Sequence, residues 1–261
     1  MVTAYDVPTA KMADAGGADL ILVGDSLGMV VLGYESTLQV TVDDVVHHAA
    51  AVTRARPRAL VVGDMPWLSY HTGVRDAVIN AGRLIAEGGC HAVKIEGGRK
   101  RLAVIEALLD AEIPVMGHIG LTPQSVHQMG GFKVQGKDLA AAERLLHDAK
   151  AVTAAGVFSL VLEGIPRHLA SLITRSIDVP TIGIGAGPEC DGQVLVIHDL
   201  LGLTTGAAPK FVRRFAHMAD DGGAAVAAYC DAVRSGAFPS DDESYHESEA
   251  LRSELAERFG S

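Results

Sequence analysis

A single (β/α)₈ barrel is the fold this sequence predicts, and three observations predict it. The first is a repeated phrase, an apolar run that ends in an acid: Ile21 to Asp25 (ILVGD), Ala59 to Asp64 (ALVVGD), Ala92 to Glu96 (AVKIE) and Phe158 to Glu163 (FSLVLE). Runs that are apolar throughout, and not alternating, are what strands covered on both faces need, as in a parallel sheet with helices outside. The second is that these runs alternate with helix-like segments along the chain, without a composition break that would mark a linker. The third is length, since 261 residues lie close to the ~250 of one such barrel. Strand ends in a parallel barrel converge on one face, where the chemistry of that architecture sits. Four acids are thereby placed as candidates.

The elements follow in order. Val2 to Tyr5 is a short apolar start, and Asp6 to Ala15 reads as a helix with Asp6 or Thr9 at its cap. After the strand ending at Asp25 and Ser26, the segment Leu27 to Tyr34 is too long for a minimal turn and predicts a structured loop over the strand ends. Thr41 starts a helix that ends before Pro57. The strand Ala59 to Asp64 closes on Met65 and Pro66, because proline cannot continue the ladder. Helix is expected from Val74 to Glu87, strand from His91 to Glu96, helix from Leu102 to Asp110 and strand from Ile113 to His118. The loop from Ile119 to Lys137, with Pro123, Gly130, Gly131 and Gly136, has the composition of an active-site cover. Leu139 to Ala155 is a helix, Val157 to Glu163 a strand, Arg167 to Ser176 a helix and Pro180 to Ile184 a strand. The last short strand is expected within Gln193 to Leu203, and Pro209 to Ser235 is expected to be helical.

Two regions are expected, a catalytic barrel over residues 1–240 and an acidic tail over 241–261. Asp plus Glu is 32 and Lys plus Arg is 22, a formal charge of −10, which argues against a nucleic-acid or anionic-membrane partner. Half of that charge lies in the tail, where seven acids face only Arg252 and Arg258. The tail reads as a solvated appendage with a short helix near Leu251 and Leu255. Cys90, Cys190 and Cys230 are odd in number and far apart, so neither a disulfide framework nor a structural zinc site is indicated, and a cytoplasmic location fits. The N-terminus lacks a targeting pattern and no apolar run is long enough to span a bilayer.

The chemistry-bearing residues each have a plainer alternative. Asp25 and Asp64, each following a buried run and a glycine, suit Mg²⁺, which takes carboxylate oxygens and keeps waters for substrate to displace; either one alone could instead cap a helix. Lys94 and Glu96 are two apart on a strand and point to the same face, inward if Val93 and Ile95 pack outward. They are either a structural ion pair or a charge network beside a metal, with Lys94 holding a substrate anion and Glu96 a metal-bound water. Glu163 ends an apolar strand, a setting that raises a carboxyl pKa and makes a better base; a helix cap or salt bridge is the alternative. His118 has the parity to face the pocket as a donor or acid, whereas a satisfied core histidine is the commoner fate. His47, His48, His127 and His198 have no metal-type spacing. Gly183 to Gly187 looks like a phosphate loop, but Pro188 stands where the dinucleotide fingerprint requires its third glycine.

Taken together, Leu22 to Val30 (LVGDSLGMV), Lys94 to Gly98 (KIEGG), Met116 to Ser125 (MGHIGLTPQS), Gly130 to Gly136 (GGFKVQG) and Ile182 to Val196 (IGIGAGPECDGQVLV) resemble the ketopantoate hydroxymethyltransferase (3-methyl-2-oxobutanoate hydroxymethyltransferase) family over nearly the whole chain. That resemblance implies a barrel like those of phosphoenolpyruvate mutase and isocitrate lyase, Mg²⁺, 5,10-methylenetetrahydrofolate as one-carbon donor, 3-methyl-2-oxobutanoate as acceptor and 2-dehydropantoate as product, on the route to pantothenate and coenzyme A. It also implies a homo-oligomer, a decamer. By motif, Asp25 and Asp64 would bind the metal and with it the substrate, Glu96 would assist the metal, Ser26 and Lys94 would contact the substrate acid, and His118 and Glu163 would serve the chemistry. Members of that family usually carry a further segment ahead of the position matched by Val2, so the first strand is expected to be short. The acidic stretch after about Ser244 is expected to run past the usual family end. Two other readings compete: a Mg²⁺-dependent carbon–carbon lyase or mutase of the related barrel group, whose K-K-C-G-H type loop is missing here, and a non-catalytic truncated barrel.

Overall fold

Eight parallel strands pair in sequence order in the computed structural model, which describes residues 1–204, 206 and 208–260. In chain order they are β1 (Val2–Thr3), α1 (Val7–Ala15), β2 (Leu20–Val23), α2 (Leu27–Val30), α3 (Val42–Arg54), β3 (Leu60–Asp64), α4 (Val74–Ala86), β4 (Ala92–Glu96) and α5 (Leu102–Asp110). Then come β5 (Val115–Gly120), α6 (Val126–Met129), α7 (Leu139–Ala154), β6 (Ser159–Glu163), α8 (Arg167–Thr174), β7 (Thr181–Ile184), β8 (Gly192–Gln193) and α9 (Ile197–Leu200). A bridge between Val2 and Leu195, with Thr3 N–H donating to Leu195 O at 3.2 Å, joins the first strand to the segment after the last and closes the ring.

Local chemistry sets the helix starts. The Asp6 side chain accepts from Thr9 N–H while the Thr9 hydroxyl accepts from Asp6 N–H, and Thr41 and Asp44 make the same reciprocal pair at α3. Each pair satisfies two of the backbone donors that a helix start leaves open. Several boundaries differ from expectation, the largest being the helix expected from Pro209, which begins only at Met218. β5 runs two residues past His118 because Ile119 and Gly120 still pair with Leu162 and Glu163. The final strand ends at Gln193, since the backbone from Val196 onward turns into α9, whose first N–H, that of Ile197, donates to Thr3 Oγ1 at 3.0 Å.

Strand alternation then sorts the side chains. Outward residues such as Ile21, Val23, Val61, Val93, Ile95, Leu160 and Leu162 join helix residues in one large core. Inward residues Leu22, Val62, Ala92, Met116, Val161, Ile182 and Val194 form a second, separate apolar plug inside the barrel. Two sealed cores of this kind are what period-two strands in a closed sheet produce.

The chain divides into two compact units, Met1–Phe215 and Ala216–Ser261. The second holds α10 (Met218–Ser235) and α11 (Glu249–Phe259), neither with a buried residue. Among the described residues no helix is long and apolar enough to cross a membrane, and Cys90, Cys190 and Cys230 are free thiols.

Candidate active site

The inward parity that builds the apolar plug continues to the C-terminal ends of the same strands and there delivers ionisable groups. Val62 is followed two residues on by Asp64, Ala92 by Lys94 and then Glu96, Met116 by His118, and Val161 by Glu163. The register aligns Asp64 with Lys94, Glu96 with His118, and Gly120 with Glu163 across neighbouring strands. Gly120 adopts a positive φ, and a Cβ there would collide with the Glu163 carbonyl, so only glycine lets the chain leave β5 beside Glu163. Asp25 arrives differently. It lies beyond β2 in a turn closed by Leu27 N–H donating to Gly24 O at 3.0 Å, and its own N–H reaches Asp64 Oδ2 at 3.2 Å.

The groups meet in one network. Lys94 Nζ lies 2.8 Å from Asp64 Oδ1, 3.3 Å from His118 Nδ1 and 3.9 Å from Glu96 Oε1. His118 sits between two acids, its Nδ1 3.5 Å from Glu96 Oε1 and its Nε2 3.3 Å from Glu163 Oε2. Asp25, Asp64, Lys94, Glu96 and His118 are all buried, while the Glu163 side chain is 15% exposed, which leaves it reachable from solvent. The environment of Glu163 is therefore a histidine-lined one and not the apolar wall its strand suggested.

Four carboxylates face two cationic groups, and the titration behaviour reflects it. Burial, then the charges of Asp64 and Glu96, push Asp25 well above the usual carboxylate range. Burial also raises Asp64, with Lys94 pulling the other way. For Lys94 burial disfavours the charge, but Asp64 and Glu96 outweigh it and hold the ammonium above its ordinary value. Glu96 is held low: burial opposes its charge, and the His118 hydrogen bond and the charges of His118 and Lys94 prevail. His118 loses from burial and from Lys94, yet its bonds to Glu163 and Glu96 carry it up to about 9, so it is cationic at neutral pH.

Ser26 is half-buried, its Oγ 2.8 Å from the Tyr5 hydroxyl. Two residues that sequence reasoning did not single out complete the cluster. Gln124, in a one-turn 3₁₀ segment Pro123–Ser125 after β5, donates through Nε2 to Asp25 Oδ2 at 2.9 Å, and its backbone N–H donates to Glu96 Oε2 at 3.1 Å. Tyr70, 1% exposed, donates its hydroxyl proton to Gln124 Oε1 at 2.6 Å. The only sequence signal was position: a polar amide one residue past a loop proline, directly after a strand that carries a histidine. The loop expected as a cover is partly regular, containing that turn and α6.

The donor set fits a hard divalent cation. Asp25 and Asp64 offer carboxylate oxygens, the pocket carries excess negative charge, and Asp64 Oδ1 is buried, with the Lys94 ammonium 2.8 Å away. The oxygens of Glu96 are already engaged with Lys94, His118 and Gln124. Among the described residues no three His, Cys, Asp or Glu side chains converge as a ready-made metal cage. A pair of carboxylates completed by water and substrate oxygens is the form Mg²⁺ sites take.

A sequence model of ketopantoate hydroxymethyltransferase matches residues 1–241. The chain belongs to that family. A 3-methyl-2-oxobutanoate hydroxymethyltransferase of Koribacter versatilis is 59% identical over 245 residues, 94% of this chain and 83% of the relative. One from Syntrophomonas wolfei is 57% identical over 259 residues, 99% of this chain and 92% of the relative. Among solved structures, phosphoenolpyruvate phosphomutase from Streptomyces platensis superposes with a TM-score of 0.57 at 15% identity, covering 100% of this chain and 94% of that one. A phosphonopyruvate hydrolase, solved with oxalate and Mg²⁺, gives a TM-score of 0.60 at 11% identity, covering 100% and 93%. At such identity these two establish the barrel and its architecture alone. The family membership removes the lyase and mutase readings and the non-catalytic one.

Proposed function

We propose that the chain transfers a hydroxymethyl group from 5,10-methylenetetrahydrofolate to 3-methyl-2-oxobutanoate, giving 2-dehydropantoate for pantothenate and coenzyme A synthesis. What carries the proposal is the convergence of Asp25, Asp64, Lys94, Glu96, His118 and Glu163 at the C-terminal strand ends in a chain of this family.

Asp25 and Asp64 would hold Mg²⁺, which would supply a Lewis acid for the keto oxygen of the substrate. The substrate carboxylate is contacted by the Ser26 hydroxyl and by Lys94, whose ammonium also pairs with Asp64 at 2.8 Å. Glu163 removes the C3 proton. It belongs to β6, away from the Asp25–Asp64 pair, and its Oε2 lies 3.3 Å from His118 Nε2. His118 then serves as the donor that steadies charge as the proton moves. The carbon nucleophile at C3 forms a bond to the one-carbon unit, both bonds from that unit to the two folate nitrogens break, water supplies the hydroxyl, and the C3 proton and the second proton of that water end on the two nitrogens. The loop after β5, which already reaches the site through Gln124, limits solvent access while this occurs.

The same reading carries a decamer, cytoplasmic location and Mg²⁺ dependence. Incubating the protein with Mg²⁺, 3-methyl-2-oxobutanoate and methylenetetrahydrofolate should yield ketopantoate, and its absence from folded protein would refute the assignment. Sedimentation should show a species ten times the 27.2 kDa chain.

A further inference from the structure

Gln124 is 5% exposed and touches the ends of three strands at once. Its Nε2 donates to Asp25 Oδ2 beyond β2 at 2.9 Å and to Met65 O beyond β3 at 3.0 Å, while its backbone N–H donates to Glu96 Oε2 on β4 at 3.1 Å. Its Oε1 accepts from the Tyr70 hydroxyl at 2.6 Å, and that hydroxyl oxygen accepts from Glu96 N–H at 3.1 Å. The amide orientation follows from these partners: a carboxylate and a carbonyl both need donors, and a hydroxyl proton needs an acceptor. Turned over, the amide would set its oxygen against a buried carboxylate.

We propose that Gln124 is a positioning residue, its amide locked by Tyr70 so that it fixes the Asp25 carboxylate for cation binding. The inference rests on the reading of Asp25 and Asp64 as the cation pair. Asp25 is buried beside Asp64 and near Glu96, and repulsion there would turn a free carboxylate away. A neutral donor on Oδ2 holds it without cancelling the negative charge that attracts a cation, which a lysine in the same place would do. Because the donor sits in the loop after β5, cover and cation site are tied through one side chain.

Mn²⁺ is the probe, because its electron paramagnetic resonance signal in free solution disappears on binding. Wild-type protein, Gln124→Met, Gln124→Asn and Tyr70→Phe are titrated with Mn²⁺, with Asp25→Asn as a control. Gln124→Met keeps the volume and loses both donors. It should weaken Mn²⁺ binding by about tenfold or more, the range for groups that orient a metal ligand. C3 deuterium exchange of the keto acid by this variant should recover toward the wild-type rate at saturating metal. Tyr70→Phe, which removes a single hydroxyl, should show a smaller loss in the same direction. Should Gln124→Met fail to fold, Gln124→Asn and Tyr70→Phe decide by the same measure. Binding within twofold of wild type in the folded variants, or a loss of exchange that excess metal does not restore, would overturn the inference. Failure of wild-type protein to bind Mn²⁺ would instead refute the cation pair itself.

Discussion

Two layers line the inside of the barrel on the same strands, and they are made of opposite materials. The lower one, Leu22, Val62, Ala92, Met116, Val161, Ile182 and Val194, is apolar and sealed. The upper one, starting two residues further along β3, β4, β5 and β6, is Asp64, Lys94, Glu96, His118 and Glu163, joined by Asp25 from the turn after β2. Burial from water is non-directional and rewards the lower layer whatever the detailed contacts. The upper layer gains from burial only through its partners, and its excess of negative charge is left to be met by ligands. On the proposed reading the lower layer holds the barrel and the upper layer works; strand alternation places the two together, with Asp25 added from the turn after β2.

That contrast can be broken from either side. The largest effect is expected from Glu163→Gln, which keeps the shape and removes the proposed base: C3 exchange should fall by about 10²- to 10⁴-fold, while the melting temperature holds. A fall in stability with exchange retained would place Glu163 among the structural groups. In the lower layer, Ile182→Ala should cost about 2–5 kcal/mol in urea unfolding, with the rate per folded molecule nearly unchanged. A large rate loss there would mean the two layers are not separable.

Cys90 offers a smaller test of the outer core. Burial pushes its thiol up to about 12, so alkylation by iodoacetamide at pH 8 should label Cys190 and Cys230 well before Cys90. Rapid labelling of Cys90 would show that the packing around it opens. The smallest effect concerns Asp14, whose Oδ1 accepts from Ala59 N–H at 3.1 Å and Arg58 N–H at 2.7 Å. Those bonds, that of Ala59 foremost, lower its pKa in the folded state. Its contribution is thus present above the unfolded-state value of about 4 and is lost as pH falls through the folded one. Asp14→Asn should lower stability slightly at pH 7, and the difference should vanish in acid; a difference that grew in acid would reverse the sign.

The strands and their terminal acids were legible because a sheet covered on both faces must be written in continuous apolar runs, and a carboxylate breaking such a run is conspicuous. Parity alone placed Lys94, Glu96 and His118 inward, as the structure has them. Gln124 and Tyr70 were not legible, since each lies in an irregular segment whose path is set by tertiary contacts, and a polar residue in a loop carries no periodicity to read. The same holds for the last strand. Its residues have apolar character, but Ile197 N–H finds Thr3 Oγ1 and the backbone continues as α9. The apolar surroundings expected for Glu163 were inferred from its own strand, whereas its carboxylate meets His118 of the neighbouring strand.

Exchange of the C3 proton of 3-methyl-2-oxobutanoate in D₂O, followed by proton NMR with and without Mg²⁺ and in the absence of folate, isolates the step assigned to the upper layer. Loss of the C3 proton signal with Mg²⁺ present, and its persistence after chelation with EDTA, is the predicted result. Exchange unaffected by EDTA, or none from folded protein with Mg²⁺, would contradict the account.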